Sequence, residues 1–404
     1  MSSNKNIAFI ISGAAAYIPQ EIACIKALMQ GLYPGAKGDI TPTLMTGTSS
    51  GSLSTVLVNA ILADKLDWGT LEDSLLPAIT NDKVYTLDLN ITSQMKQDVM
   101  ALVGTLKQAL KNPLAIYNFV QALGELKDLS PKTPLKDIEL IIKALVNGIK
   151  SAEEVKFSIS AIEDIAKLIK DTPDLPKQIE ALITMFEDGY IFDTSPLRQT
   201  LTQYVNDQFG FQTLGNLPCH SYLSTVNATS GDERRFDSQN HNDGQISLVD
   251  ILMASTAIPV AFPQQDVAGQ AYVDGGTGTD NIPVLDAIQS GEKFDEVYVV
   301  TYKHNFILGQ PIKRHTDLPP LLSNLMFARD VAARNIVPFQ LGMSLSLVDD
   351  PNNAFFYMPA FKEDFNALDF NSMPAQLKLS TEYVHQNGPQ KTVDVLKKLN
   401  FPTS

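Results

Sequence analysis

Apolar residues near the start of the chain switch between two spacings. A continuous run, Ile7–Ile11, precedes Ser12-Gly13-Ala14-Ala15-Ala16, and a spacing of three or four then runs through Ile22, Ile25 and Leu28. That order predicts strand, loop and amphipathic helix. A second such unit follows, with a short strand around residues 43–45, a tight Gly-containing turn, and an apolar helix through Leu53, Leu57 and Ile61. Two successive strand–helix units are the opening of an α/β fold.

The spacing becomes purely helical over about residues 92–187. Stripes run through Met95, Val99, Leu102 and Leu106, and through Leu135, Ile138, Ile142 and Leu145. Asn112-Pro113 marks a helix start, because a proline at the first helical position gives up an NH that has no partner there. Ser151 with Glu154 reads as a capping box before Ile162 and Ile169, and Pro176 precedes a helix with Ile179, Leu182 and Phe186. This stretch is read as a helical insertion, either a packing appendage or a lid.

Strand-like runs return at 221–226, 271–273, 297–302 and 355–358, with helical patterns at 251–257, 321–336 and 393–399. About residues 305–404 are read as a helical C-terminal extension of one domain spanning 1–404.

Composition narrows the function. A formal net charge of −14 argues against a general positive field for nucleic acid or anionic lipid, so any lipid contact is expected to be apolar, local and transient. Two cysteines without a CxxC and five scattered histidines predict neither a disulfide framework nor a metal site. Ile7–Ile11 is too short for a signal-peptide core, and no apolar run is long enough to span a bilayer. The expected location is cytoplasmic, peripheral at membranes at most.

The chemistry concentrates at Gly47-Thr48-Ser49-Ser50-Gly51, a G-x-S-x-G between a short strand and an apolar helix. A sharp turn there projects the serine hydroxyl, and the NH of Ser50 at the helix start is a candidate oxyanion donor. Serine needs a base. Asp274, in Tyr272-Val273-Asp274-Gly275-Gly276 at a strand end, is one candidate; His304, after the strand at 297–302, is the other and would complete an α/β-hydrolase triad.

Gly47-Thr48-Ser49-Ser50-Gly51 with Asp274-Gly275-Gly276 resembles the Ser-Asp dyad of the patatin-like phospholipase family. Further segments agree in order: Phe192-Asp193-Thr194-Ser195-Pro196-Leu197, Ala254-Ser255-Thr256-Ala257-Ile258-Pro259 with Phe262-Pro263, and Asn281-Ile282-Pro283. The resemblance implies a three-layer α/β sandwich with a central, mostly parallel sheet, a fatty-acyl ester of a glycerolipid as substrate, an acyl-enzyme intermediate and no cofactor. It makes Ser49 the nucleophile and Asp274 the base, and His304 a bystander.

The chain departs from that family at its Gly-rich loop, typically S-G-G-G-x-[RK]-G, where it carries Ser12-Gly13-Ala14-Ala15-Ala16-Tyr17-Ile18. The resemblance puts oxyanion donors on Gly13, Ala14 and Ala15. Alanine has the same NH as glycine, but a left-handed conformation there costs about 1–2 kcal/mol. A catalytically weak or inactive relative that binds lipid or protein is the alternative function.

Overall fold

The computed structural model describes residues 5–86, 133–149, 159–171, 190–278, 281–303, 312 and 320–401. The chain forms two units, one of Met1–Thr86 with Phe192–Ser404 and the other of Leu87–Ile191. The expected helices at 92–132 and 172–189 lie outside the described residues, as does His304.

In the first unit, β1 (Ile7–Ile11), β2 (Leu44–Thr48), β3 (His220–Asn227), β4 (Glu233–Asp237), β5 (Gln265–Val267), β6 (Gln270–Asp274), β7 (Glu296–Val300), β8 (Ala354–Tyr357) and β9 (Gln390–Lys391) make one sheet. Its order is β5-β6-β3-β2-β1-β7-β8-β9, with β4 also on β3. The central strands β3, β2, β1, β7 and β8 run parallel, and the antiparallel pairs lie towards the two ends. This is the expected α/β class with a mixed, mostly parallel sheet.

Both faces of the centre are covered, which is why β1 is apolar throughout rather than alternating. Ala8 and Ile10 join a core with Val297, Val299, Val337 and Leu341, while Ile7, Phe9 and Ile11 join another with Cys24, Ile25 and Leu28. The second of these cores is covered by α1 (Ile18–Met29) and α2 (Ser50–Leu62).

The second unit contains α3 (Leu135–Ile149) and α4 (Ile159–Asp171), packed through Ile138, Ile142, Ile165 and Ile169. Both match predicted stripes. Lys170 Nζ donates to Thr133 O at 2.8 Å. In the first unit α5 (Ser195–Leu201), α6 (Leu248–Ser255), α7 (Val284–Gln289), α8 (Pro320–Ser344), α9 (Met373–Val384) and α10 (Thr392–Lys398) complete the described helices of eight residues or comparable length.

The register on β3 positions the site. β4 takes one edge of β3 over residues 222–226, so β2 and β6 share the other edge. Thr48 pairs with Ser224, and Asp274 pairs with the next residue, Thr225. The end of β2 and the end of β6 therefore meet head-on.

Candidate active site

Ser49 follows β2 immediately and caps α2 with φ 55° and ψ −127°, a conformation that is strained for any residue with a side chain. Its neighbours explain how the turn is held. A Cβ on Gly47 would stand 2.4 Å from Gly51 O, and one on Gly51 would stand 2.4 Å from Ser12 O. Both glycines of the motif are required by close backbone approach, not by a positive φ.

Ser49 Oγ donates to Asp274 Oδ2 at 2.5 Å. The two side chains belong to residues 1% and 2% exposed, so water scarcely competes for that bond. Asp274 Oδ1 accepts from the NH of Gly276 at 2.7 Å, and the Asp274 NH donates to Ala257 O at 2.9 Å, which fixes the carboxylate. Gly275 is needed because a Cβ there would lie 2.6 Å from Ser224 O.

Ser255, at the end of α6, supports the turn from below. Its Oγ accepts from the Ser49 NH at 3.0 Å, donates to Ser224 O at 2.7 Å and lies 2.8 Å from Ser52 Oγ. Sequence reading placed Ser255 in a motif without giving it a task; its task depends on β3, which no local pattern reveals. Asp193, two residues ahead of α5, accepts from the Ser195 NH at 2.9 Å, the work of an ordinary turn former.

The loop after β1 sorts its own NH groups. Gly13 donates to Asn281 O at 2.9 Å, Ala14 to Ser50 Oγ at 2.7 Å and Ala16 to Ala367 O at 2.8 Å. The NH groups of Ala15 and Ser50 have no hydrogen-bond partner among the described residues. Ala15 takes φ 48°, the left-handed region that alanine avoids.

Ser49, Ser50 and Ala15 line one pocket, of about 850 Å³ when the space open to solvent is included. The rest of its wall is almost wholly apolar, drawn from α2 (Leu53, Val56), the 71–84 segment (Leu75, Leu76), α5 (Leu197, Leu201) and α6 (Leu252). No described histidine lines it.

Beneath the loop, Glu21 is fully buried on α1, with Oε1 accepting from Ser12 Oγ and Oε2 from Ser54 Oγ, each at 3.0 Å. Burial pushes its carboxyl well above the usual carboxylate range, and the two serine hydrogen bonds pull against that shift. Sequence reading missed Glu21, because an acidic residue in a first helical turn reads as a solvated dipole partner.

The site thus sets a serine on a strand–turn–helix against a buried aspartate, beside an apolar pocket. The family model described as patatin-like phospholipase matches residues 9–288, and the chain belongs to that family. A cGAMP-activated phospholipase of Vibrio cholerae is 31% identical over 99 residues, covering 23% of this chain and 27% of that protein. The chain thus spans about a quarter of the length of that relative in the match. VipD from Legionella pneumophila superposes over 98% of this chain and 67% of its own at 15% identity and TM-score 0.35, and nothing further follows from that likeness.

Proposed function

We propose that this chain is a serine acyl hydrolase that cleaves fatty-acyl esters of phospholipids or other glycerolipids through Ser49 and Asp274. The observation that carries the reading is the 2.5 Å hydrogen bond from Ser49 Oγ to Asp274 Oδ2 at the wall of an apolar pocket. Family membership supports a lipid as the substrate class.

Ser49 Oγ attacks the ester carbonyl carbon as its proton passes to Asp274. The carbonyl oxygen gains the negative charge and is held by the NH groups of Ser50 and Ala15, the two donors left uncommitted in the pocket wall. The ester C–O bond then breaks, and the leaving alcohol takes the proton back from Asp274. Water repeats the sequence on the acyl-enzyme, releasing a fatty acid and restoring Ser49. The acyl chain lies in the apolar pocket, against the leucines of α2, α5 and α6. Contact with a lipid surface is apolar and local, and the site is cytoplasmic.

Intact mass after incubation with a fluorophosphonate tests the reading. One adduct is expected on the parent chain and none on Ser49→Ala; labelling of both sinks the nucleophile assignment. Asp274→Asn should remain folded and lose ester hydrolysis. The alternative, a binding protein that has lost catalysis, is favoured by Ala15 standing in a left-handed position. A folded parent chain that neither labels nor hydrolyses soluble esters is the outcome that would establish it.

A further inference from the structure

Ala15 holds a conformation that a free alanine leaves, so something outside the loop must keep it there. The residues before it are held by Asn281 O and Ser50 Oγ, and the hydrogen bonds on the two residues after it come largely from one stretch, residues 365–376, beyond the part of the chain the family model matches. Ala16 NH donates to Ala367 O at 2.8 Å, and Ala16 O accepts from Gln376 Nε2 at 3.1 Å. The Tyr17 hydroxyl donates to Phe365 O at 2.7 Å, while its ring stacks on Tyr302 with centroids 4.9 Å apart. Gln376 is fully buried on α9, and its Oε1 accepts from Gln20 Nε2 at 2.8 Å. Gln20 Oε1 in turn accepts from the Lys303 NH at 2.8 Å.

These bonds seize the residues that follow Ala15 from both backbone sides. Such an outlay of buried polar groups is unneeded where glycine occupies the position, since glycine takes a positive φ about as readily as a negative one. The stretch is itself tied down: Tyr85 Oη donates to Leu368 O at 2.8 Å, and the Phe370 NH donates to Asn81 Oδ1 at 2.7 Å. Leu368 and Phe370 also line the pocket, so the clamp and the acyl site share a wall.

We infer that residues 365–376 form a clamp, with Gln376 and Tyr17 as positioning residues, that holds Ala15 left-handed so that its NH can serve as an oxyanion donor. The inference rests on the hydrolase reading above. Released from the clamp, an alanine would desert the competent conformation by roughly five- to thirtyfold in population, whereas a glycine would lose about twofold.

The test is a double-mutant cycle between Gln376→Leu and Ala15→Gly, read with p-nitrophenyl butyrate, with far-UV circular dichroism to show that each variant folds. Gln376→Leu should lower kcat up to roughly thirtyfold with KM little changed, because the donor acts on the transition state. In the Ala15→Gly background the same change should lower kcat by about twofold. Equal losses in both backgrounds would mean that Gln376 only supports the fold, and would overturn the clamp while leaving the hydrolase intact. A parent chain without Ser49-dependent turnover would overturn the hydrolase reading and the clamp with it. Should Gln376→Leu not fold, Tyr17→Phe replaces it in the cycle, since it removes the bond to Phe365 O and keeps the stack on Tyr302.

Discussion

Gly51 sits where β1, the loop after it and α2 converge, and a methyl group there would press on both Ile11 O and Ser12 O at 2.5 and 2.4 Å. Those atoms are backbone of the central strand and its exit, with little room to shift. Gly51→Ala is therefore expected to destabilise the chain by about 3 kcal/mol or more, measured by denaturant unfolding, while a loss under about 1 kcal/mol would show that the turn can open. Glu21 makes a different prediction. Its carboxyl has a higher pKa folded than unfolded, so in the interval between the two the folded state keeps a proton that the unfolded state has released. Stability from this group is complete below the unfolded value and is lost as pH rises through the folded one. As pH rises above the usual carboxylate range the melting temperature of the parent should fall relative to that of Glu21→Gln; a difference that does not change with pH contradicts the raised carboxyl. The serine turn and Asp274-Gly275-Gly276 were legible in the sequence because their glycines mark the close backbone approaches, whichever strand supplies the other side. The choice of Ala15 over Gly13 and Ala14 as an uncommitted donor was not, because it is made by Asn281 and Ser50, which take the other two NH groups and lie elsewhere along the chain.

Strands at the centre of the sheet announce themselves as unbroken apolar runs, and those at its margins do not. β1 and β7 could be read directly, whereas β4 is Glu-Arg-Arg-Phe-Asp and β9 is Gln-Lys, polar segments that form a sheet only because β3 and β8 offer them an edge. Helix α9 escaped notice for a related reason. Its inward positions are Met373, Gln376, Ser380 and Val384, so half of the buried stripe is polar and an apolar period cannot reveal it. The pocket draws on two π-helical stretches, Leu71–Leu75 and Thr202–Gln208, which contribute Leu75, Tyr204 and Val205 to its wall. Such widened turns recur at functional sites. Filling the space from α5 with Leu201→Trp should favour short acyl esters, lowering kcat/KM for long-chain substrates at least about tenfold more than for butyrate. A uniform loss across chain lengths would place the acyl group elsewhere.

The path of the chain leaves the first unit after Thr86 and returns at Phe192. Its two ends are stitched together there, as the NH of Thr86 donates to Asp193 O and the NH of Asp193 to Thr86 O, each at 3.0 Å. Excision of residues 87–191 with a short glycine linker should therefore leave a first unit that unfolds in one transition by circular dichroism. A molten product would show that the insertion is needed to complete the core. Among the described residues no helix is long and apolar enough to cross a membrane.

The clamp has a consequence in time as well as in space. Translation delivers Ser49 early and Asp274 later, but the carbonyl groups and the glutamine that set Ala15 arrive only with residues 365–376. On the clamp inferred above, a nascent chain thus holds Ser49 and Asp274 before it holds the groups that set the oxyanion donor, and competence follows the folding of α9 rather than of the serine turn.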